Sequence, residues 1–280
     1  MRQLWRRRVL GIVLLPLLMV MGCATAPYTK RSQLILISPR EENQLGEAAF
    51  REVLSKEKIS RDPTLQALVE RIGWRIATVA GRPDYRWEFV VIDDPETANA
   101  FALPGGKVGV YTGIFPVAKT EGGLAAVMSH EVAHVLTHHG AERLSQGLVA
   151  QMGAAALQAG MAGSNPGVVE GVMSAYGLGA NVGVLLPYSR LQETEADRVG
   201  LLLMAQASYD PREAVRLWVR MSREDGRRPP EFLSTHPSAG RRIQDLNRWL
   251  PNALSQYRPS PAQVKESGRL LPGIEGRQVR

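Results

Sequence analysis

Cysteine is almost missing from this chain. Cys23 is the only one in 280 residues, so no intrachain disulfide can form and no other thiol competes for a role. Acidic residues are missing from the first 22 positions, which hold Arg2, Arg6, Arg7 and Arg8. With those four arginines set aside, the 34 basic residues become 30 against 27 acidic ones, a net of +3 instead of +7. A nucleic-acid-binding role would rest on overall charge alone, and most of that charge is local. After the N-terminus, uninterrupted apolar runs are missing too. Ala141 to Leu186 is poor in charge and rich in Gly, Ala, Val, Leu, Met and Ser, yet glycines break it throughout and Pro166 divides it. It does not read as a bilayer span. What the chain does have is a 44% hydrophobic composition over a length that suits one large domain or two modest ones, enough for a real core.

The N-terminus reads as targeting rather than fold. A basic start is followed by an apolar stretch from Val9 to Met21, too short for a comfortable transmembrane helix, and then Gly22 and Cys23. Val20-Met21-Gly22-Cys23 resembles a bacterial lipobox, with Met21 an unusual occupant. The resemblance implies a signal peptide over residues 1–22, lipidation of Cys23, and attachment to a membrane through several acyl chains. A simple cleaved signal and an uncleaved anchor are the alternatives. Ala24, where an Asp often marks retention at the inner membrane, favours the outer membrane facing the periplasm.

Residues 23–40 are expected to be the lipidated start and a tether, 41–250 the working domain, and 251–280 a Pro- and Gly-containing tail without a legible motif. Ser38-Pro39 followed by Glu41 and Glu42 predicts a helix start, and Leu45, Ala48, Ala49, Val53 and Leu54 predict its apolar face. Asp62-Pro63 predicts a second helix, with Leu65, Leu68, Val69, Ile72, Ile76 and Val79 on one stripe and Gly81 to Asp84 ending it. Trp87 to Ile92 and Lys107-Val108-Gly109-Val110-Tyr111 predict strands, the second after a Pro104-Gly105-Gly106 turn. For Ala141 to Leu186, two helices packed through small residues, turning at Ser164-Asn165-Pro166-Gly167, are preferred over a lid or a membrane-contacting pair.

Glu121 to Gly140 is the centre of the chemistry. This apolar run carries His130, Glu131 and His134 as HExxH, and Gly140 can end its helix. Residues four apart on a helix lie one above the other, so both imidazoles can reach one metal ion while Glu131 is turned toward its open side. Neutral imidazole suits Zn²⁺, one ion per chain, and a catalytic zinc keeps a position for water, leaving Glu131 as general base. Ser189 to Gly200 starts a second helix in which Glu193 and Asp197 share a face. A carboxylate there would complete the site, and a second could hold a ligand histidine's other nitrogen. Glu193 is the expected ligand, with Glu195, on a different face from Asp197, as its rival. A strand beside such a site often offers a free edge to an extended peptide, and Lys107 to Tyr111 is the candidate; a fully paired interior strand would give the same residues.

The set NAFALPGGKVGVYTGIF, HEVAHVLTHH, SRLQETEADRVG and THPSAGRRI resembles the zinc metallopeptidases that include the CAAX prenyl protease, HtpX and the β-barrel assembly-enhancing protease. The likeness covers about Glu41 to Leu250 and is nearest to small lipoprotein members such as LoiP. It implies an α+β, mainly α-helical, gluzincin-type domain with a small sheet beside the HExxH helix. It also implies Glu193 as third ligand and Asp197 as the aspartate of SRxxExxAD. The chain lacks a tetratricopeptide repeat after Leu250 and the transmembrane set of the prenyl protease, so a prenyl-peptide substrate is not implied. His236, in Ser234-Thr235-His236-Pro237, could stabilise an oxyanion, close the metal site, or bond backbone at a helix start. Arg241 and Arg242 read as structural, and His138 and His139 as favourable charges near a helix's negative end.

The expectation is a lipid-anchored zinc endopeptidase of the bacterial envelope acting on misfolded or misassembled outer-membrane and periplasmic proteins. Outer-membrane assembly machinery would be a further partner, and nucleic acid would not. The rival is a zinc-containing, chaperone-like assembly factor with a closed four-ligand site.

Overall fold

Asp62 and Pro63 do what their chemistry predicts. The Asp62 carboxylate accepts from the backbone N–H groups of Thr64 and Leu65, and helix α2 runs Pro63–Ala80 to a Gly81 C-cap in the left-handed region. Its buried face carries Leu68, Val69, Ile72 and Ile76 and packs on strand β3, Glu88–Ile92. The computed structural model describes residues 23–180, 186–223, Phe232, His236 and 239–274. Met1–Gly22, carrying the predicted leader, lies outside the described residues.

The described residues fall into two compact units. The first takes the chain up to Glu41 together with His138–Pro187. Its start is a two-stranded antiparallel ribbon, β1 Cys23–Thr25 paired with β2 Ser32–Leu34, where the sequence suggested only a tether. Its bulk is two helices, α5 His139–Gly160 and α6 Pro166–Ala180. They are joined at Asn165, whose side chain accepts from Gly167 N–H at 2.9 Å. The preferred reading of this stretch, a packed pair turning at residues 164–167, agrees with that arrangement.

The second unit takes Glu42–Thr137 and the chain from Tyr188 onward. Helix α1, Pro39–Lys56, enters it but buries Glu42, Gly46 and Phe50. Leu45, expected on the inner face, is exposed. The helix rolls because Gly46 meets the Pro104 carbonyl, and a Cβ at Gly46 would lie 2.1 Å from that oxygen. Strands β4, Ala100–Leu103, and β5, Lys107–Tyr111, make a hairpin whose turn needs the positive φ of Gly105 (83°) and Gly106 (88°). The sheet order is β3-β5-β4, with β3 parallel and β4 antiparallel to β5. β4, not legible as a strand, is short and gets its ladder from a neighbour rather than from its own pattern.

Helix α3, Phe115–Ala118, leads into α4, Glu121–Leu136, which Thr120 caps by accepting from Gly123 N–H at 3.0 Å. Every residue of α4 is buried. Helices α7 Leu186–Gln206, α8 Arg212–Arg223, α9 Ala239–Gln256 and α10 Pro261–Ser267 complete the unit. The segment after α10, in the stretch read as a tail, bonds back to the start of α4: Glu121 N–H donates to the Arg269 carbonyl and Leu271 N–H to the Lys119 carbonyl. Gly140 does not end α4. The turn is made at His138, at φ 55°, and Gly140 already lies inside α5.

Candidate metal centre

An α-helix surrounded by core on all sides is the surrounding a precise site needs, because side chains on it have few alternative rotamers. From α4 come His130, Glu131 and His134, all buried. From α7 come Glu193 and Asp197, one turn apart and also buried. Helix α7 can approach so closely because Gly200 faces His130; a Cβ there would lie 3.1 Å from the His130 Cα.

The ring nitrogens and carboxylate oxygens converge. His130 Nε2 and His134 Nε2 are 3.1 Å apart. Glu193 Oε2 lies 3.3 Å from His130 Nε2, and Oε1 lies 3.5 Å from His134 Nε2. His236 Nδ1 is 2.8 Å from Glu193 Oε2 and 3.2 Å from His130 Nε2. One ligand atom from each of His130, His134, Glu193 and His236 lies within 4.8 Å of every other. Neutral imidazole nitrogens facing one another repel through their lone pairs, and a divalent cation among them reverses the sign of every contact. Imidazoles with one carboxylate are a donor set that fits such an ion.

Burial works to raise the Glu193 carboxyl pKa, but the bonds to His130, His134 and His236 outweigh it and hold the group well below the usual carboxylate range. Asp197 behaves alike: burial raises it, and the charge of Arg242 with the bonds to His130 and Arg242 pulls it down. Both groups are anions at neutral pH.

The sequence-predicted residues are brought together with few exceptions. Asp197 Oδ1 is 3.1 Å from His130 Nδ1, so it can accept a hydrogen bond from Nδ1–H, which leaves the Nε2 lone pair facing the cluster. Glu131 Oε1 lies 3.3 Å from His236 Nε2. His236 is buried, with its ring at the cluster rather than on a helix-start backbone. Phe232 steadies it: His236 N–H donates to the Phe232 carbonyl at 2.9 Å, and Phe232 N–H to the Ala98 carbonyl at 3.1 Å. Glu195 is outside the group. His138 and His139 belong to the other unit and are also outside it. Cys23 is described only as the first residue of β1.

One expectation needs correction. Lys107-Val108-Gly109-Val110-Tyr111 has no free edge, because β5 is the central strand, with β3 on one side and β4 on the other. A central position uses both rows of its backbone groups. Among the described residues β4 pairs with β5 alone, and it packs beside α4. Arg242, read as structural in sequence, is buried and bonds directly to the site. Its Nε donates to Asp197 Oδ2 at 2.6 Å, Nη2 donates to Asp197 Oδ1, and Nη1 reaches Glu193 Oε2 and the His236 carbonyl, each at 3.2 Å. Its guanidinium stacks 3.6 Å over the Trp218 ring. The one legible signal was its place in the His236 motif.

The family model described as Peptidase family M48 matches residues 63–250, which contain all of these side chains. The chain belongs to this family. It is a metallopeptidase domain of mainly helical α+β fold with a small sheet, as the motifs implied. It is 40% identical over 236 residues to the mitochondrial metalloendopeptidase OMA1 of Schizosaccharomyces pombe, covering 81% of this chain and 66% of that protein. The Saccharomyces cerevisiae OMA1 is 32% identical over 254 residues, 84% of this chain and 71% of that protein. The β-barrel assembly-enhancing protease of Escherichia coli is 29% identical over 248 residues, 82% of this chain and 47% of that protein. The chain thus spans from about half to seven-tenths of the length of these relatives.

These matches overturn the expected lipid-anchored position at a bacterial outer membrane. The two OMA1 relatives, more similar than the E. coli protease, are mitochondrial by name. The reason the N-terminus misled is physical: Arg-rich, acid-free starts are shared by secretory and mitochondrial targeting segments.

Proposed function

We propose that the chain is a zinc-dependent endopeptidase that cleaves unfolded or misassembled polypeptides as part of protein quality control at a membrane. The single observation carrying this reading is the convergence of His130, His134 and Glu193 with Glu131 beside them on the same helix. His130, His134 and Glu193 would hold the ion. When bound, zinc would polarise a peptide carbonyl and lower the pKa of a water.

The chain's own residues supply the rest. Glu131 accepts the proton of the attacking water and delivers it to the leaving amine. Asp197 and Arg242 keep His130 in the ligating orientation. An extended substrate adds to the β4 edge through main-chain hydrogen bonds, which are indifferent to side chains and suit unfolded clients. The names of the OMA1 metalloendopeptidases and of the E. coli assembly-enhancing protease support the endopeptidase reading.

A second reading is favoured by the nearness of His236 to Glu193. With His236 as a permanent fourth ligand, the ion would be a structural tie in a chaperone-like assembly factor. The deciding experiment measures zinc content and cleavage of unfolded casein for the wild type, Glu131→Gln and His236→Ala. Cleavage by the wild type and none by zinc-loaded Glu131→Gln supports the peptidase. One zinc in every form and no cleavage by any, His236→Ala included, supports the assembly factor.

A further inference from the structure

The α5–α6 hairpin presents apolar surface that its own unit does not cover. Between Leu144 and Ala180, Glu170 is the only charged residue. Along α5, Leu144, Leu148 and Met152 recur every fourth position and are 41%, 37% and 57% exposed, while Val168 and Val172 on α6 are 55% and 37% exposed. The half-buried residues Ala150, Gly153, Ala154 and Leu157 of α5 sit at the spacing of a second face. That face, made of small residues, is suited to α6, which leaves the Leu144 stripe outward. Glu170 lies two positions from both Val168 and Val172, about 160–200° round the helix, so the apolar edge of α6 is free of its charge.

Length decides how such a surface can meet lipid. No described helix is long and apolar enough to cross a membrane. The part of α5 beyond Gly147 reaches about 20 Å at 1.5 Å per residue, against a hydrocarbon core of about 30 Å. The hairpin can lie in the interface but cannot span it.

The base of the hairpin says why lipid is the occupant. Arg31, in the turn of the β1–β2 ribbon, grips Glu142 of α5 with Nη1 to Oε1 at 2.6 Å and Nη2 to Oε2 at 2.7 Å. Gln33 donates to Glu142 Oε2 at 3.2 Å, and Leu36 N–H to Ser145 Oγ at 2.9 Å. The ribbon begins at Cys23, directly after the basic start and the apolar run Val9–Met21. With residues 1–22 retained as the uncleaved anchor, the chain's most membrane-seeking segment enters the fold in the unit that carries the hairpin.

We propose that the α5–α6 hairpin is a second membrane contact, lying flat in the interfacial layer of a bilayer with Leu144, Leu148, Met152, Val168 and Val172 toward the acyl chains. One weak membrane signal gives marginal attachment and two give stable attachment. The rigid tie from ribbon to α5 makes the second contact intramolecular once the first has formed.

The test places an environment-sensitive fluorophore on single cysteines in the full chain carrying Cys23→Ser. Leu148→Cys and Val168→Cys report the hairpin, and Arg51→Cys on α1 is the control. On phosphatidylcholine–phosphatidylglycerol vesicles, both hairpin probes should shift to the blue and be quenched by lipids spin-labelled near the headgroup, with the α1 probe unchanged. The paired change Leu148→Glu with Val168→Glu should weaken vesicle partitioning at least about tenfold while helix content holds. Hairpin probes that keep water-like emission on vesicle-bound protein would overturn the proposal, as would unchanged partitioning of the paired variant. A blue shift that needs no lipid and grows with protein concentration would also overturn it, assigning the surface to a second copy.

Discussion

Arg242 holds both oxygens of Asp197, through Nε to Oδ2 at 2.6 Å and through Nη2 to Oδ1, the oxygen that lies 3.1 Å from His130 Nδ1. The ligand histidine is thus oriented by a carboxylate that is itself clamped. Arg242→Lys cannot reproduce a two-pronged grip. Metal affinity should fall roughly 10- to 100-fold, measured by competition with a chromophoric chelator. Arg242→Met leaves Asp197 buried without its cation and should cost about 3–5 kcal/mol in urea unfolding. Unchanged metal affinity in the lysine variant would remove Arg242 from this role.

Glu131 stands beside the ligand group without belonging to it. Glu131→Gln keeps size and shape while removing the base, so kcat should drop by about 10²–10⁴ with zinc content unchanged. Elemental analysis of the purified variant, run beside a casein assay, separates lost chemistry from lost metal.

Gly200 sets the distance between α7 and α4. A Cβ there would lie 3.1 Å from His130 Cα and N, and the branched side chain of Gly200→Val has nowhere to go. Helix α7 must shift, taking Glu193 with it. The expected result is a stability loss of about 1–3 kcal/mol and weaker metal binding together. A valine variant with normal affinity would show that α7 can move without disturbing the ligands.

Tyr85 and Tyr209 are both pushed up to about 12 by burial, Arg82 and Arg75 respectively pulling the other way. A phenol raised in the folded state favours folding fully below its unfolded pKa near 10, and that contribution is lost as pH climbs through about 12. Each phenol should contribute about 2–3 kcal/mol to the decline across that window. Urea midpoints taken from pH 9 to 12 should fall steeply in the wild type and less in Tyr85→Phe.

Much of this architecture could be read from local pattern. Asp62-Pro63 capped a helix, and HExxH lay on a buried one, because capping and helical spacing involve residues within a turn of each other. Glu193 and Asp197 were legible as a pair for the same reason. The inner face of α1 was not, since Gly46 rather than Leu45 turns inward only because the Pro104 carbonyl is there to meet it. Arg242 read as structural, but its partner was not legible, because an arginine on a polar helix has the same sequence whether water or Asp197 faces it.

By itself the sequence determined the residue types and their helical spacing: two imidazoles and a carboxylate on one helix, two carboxylates on another, and the Asp62-Pro63 cap that starts α2. Only the tertiary structure decided which strand is central, that His236 joins the ligand group, and that Arg242 is its buried clamp. The last two depend on contacts between residues 43 to 112 positions apart, such as His236 with Glu193 and Arg242 with His130. Chain closure over that distance is governed by how the whole core packs, and no local periodicity carries it.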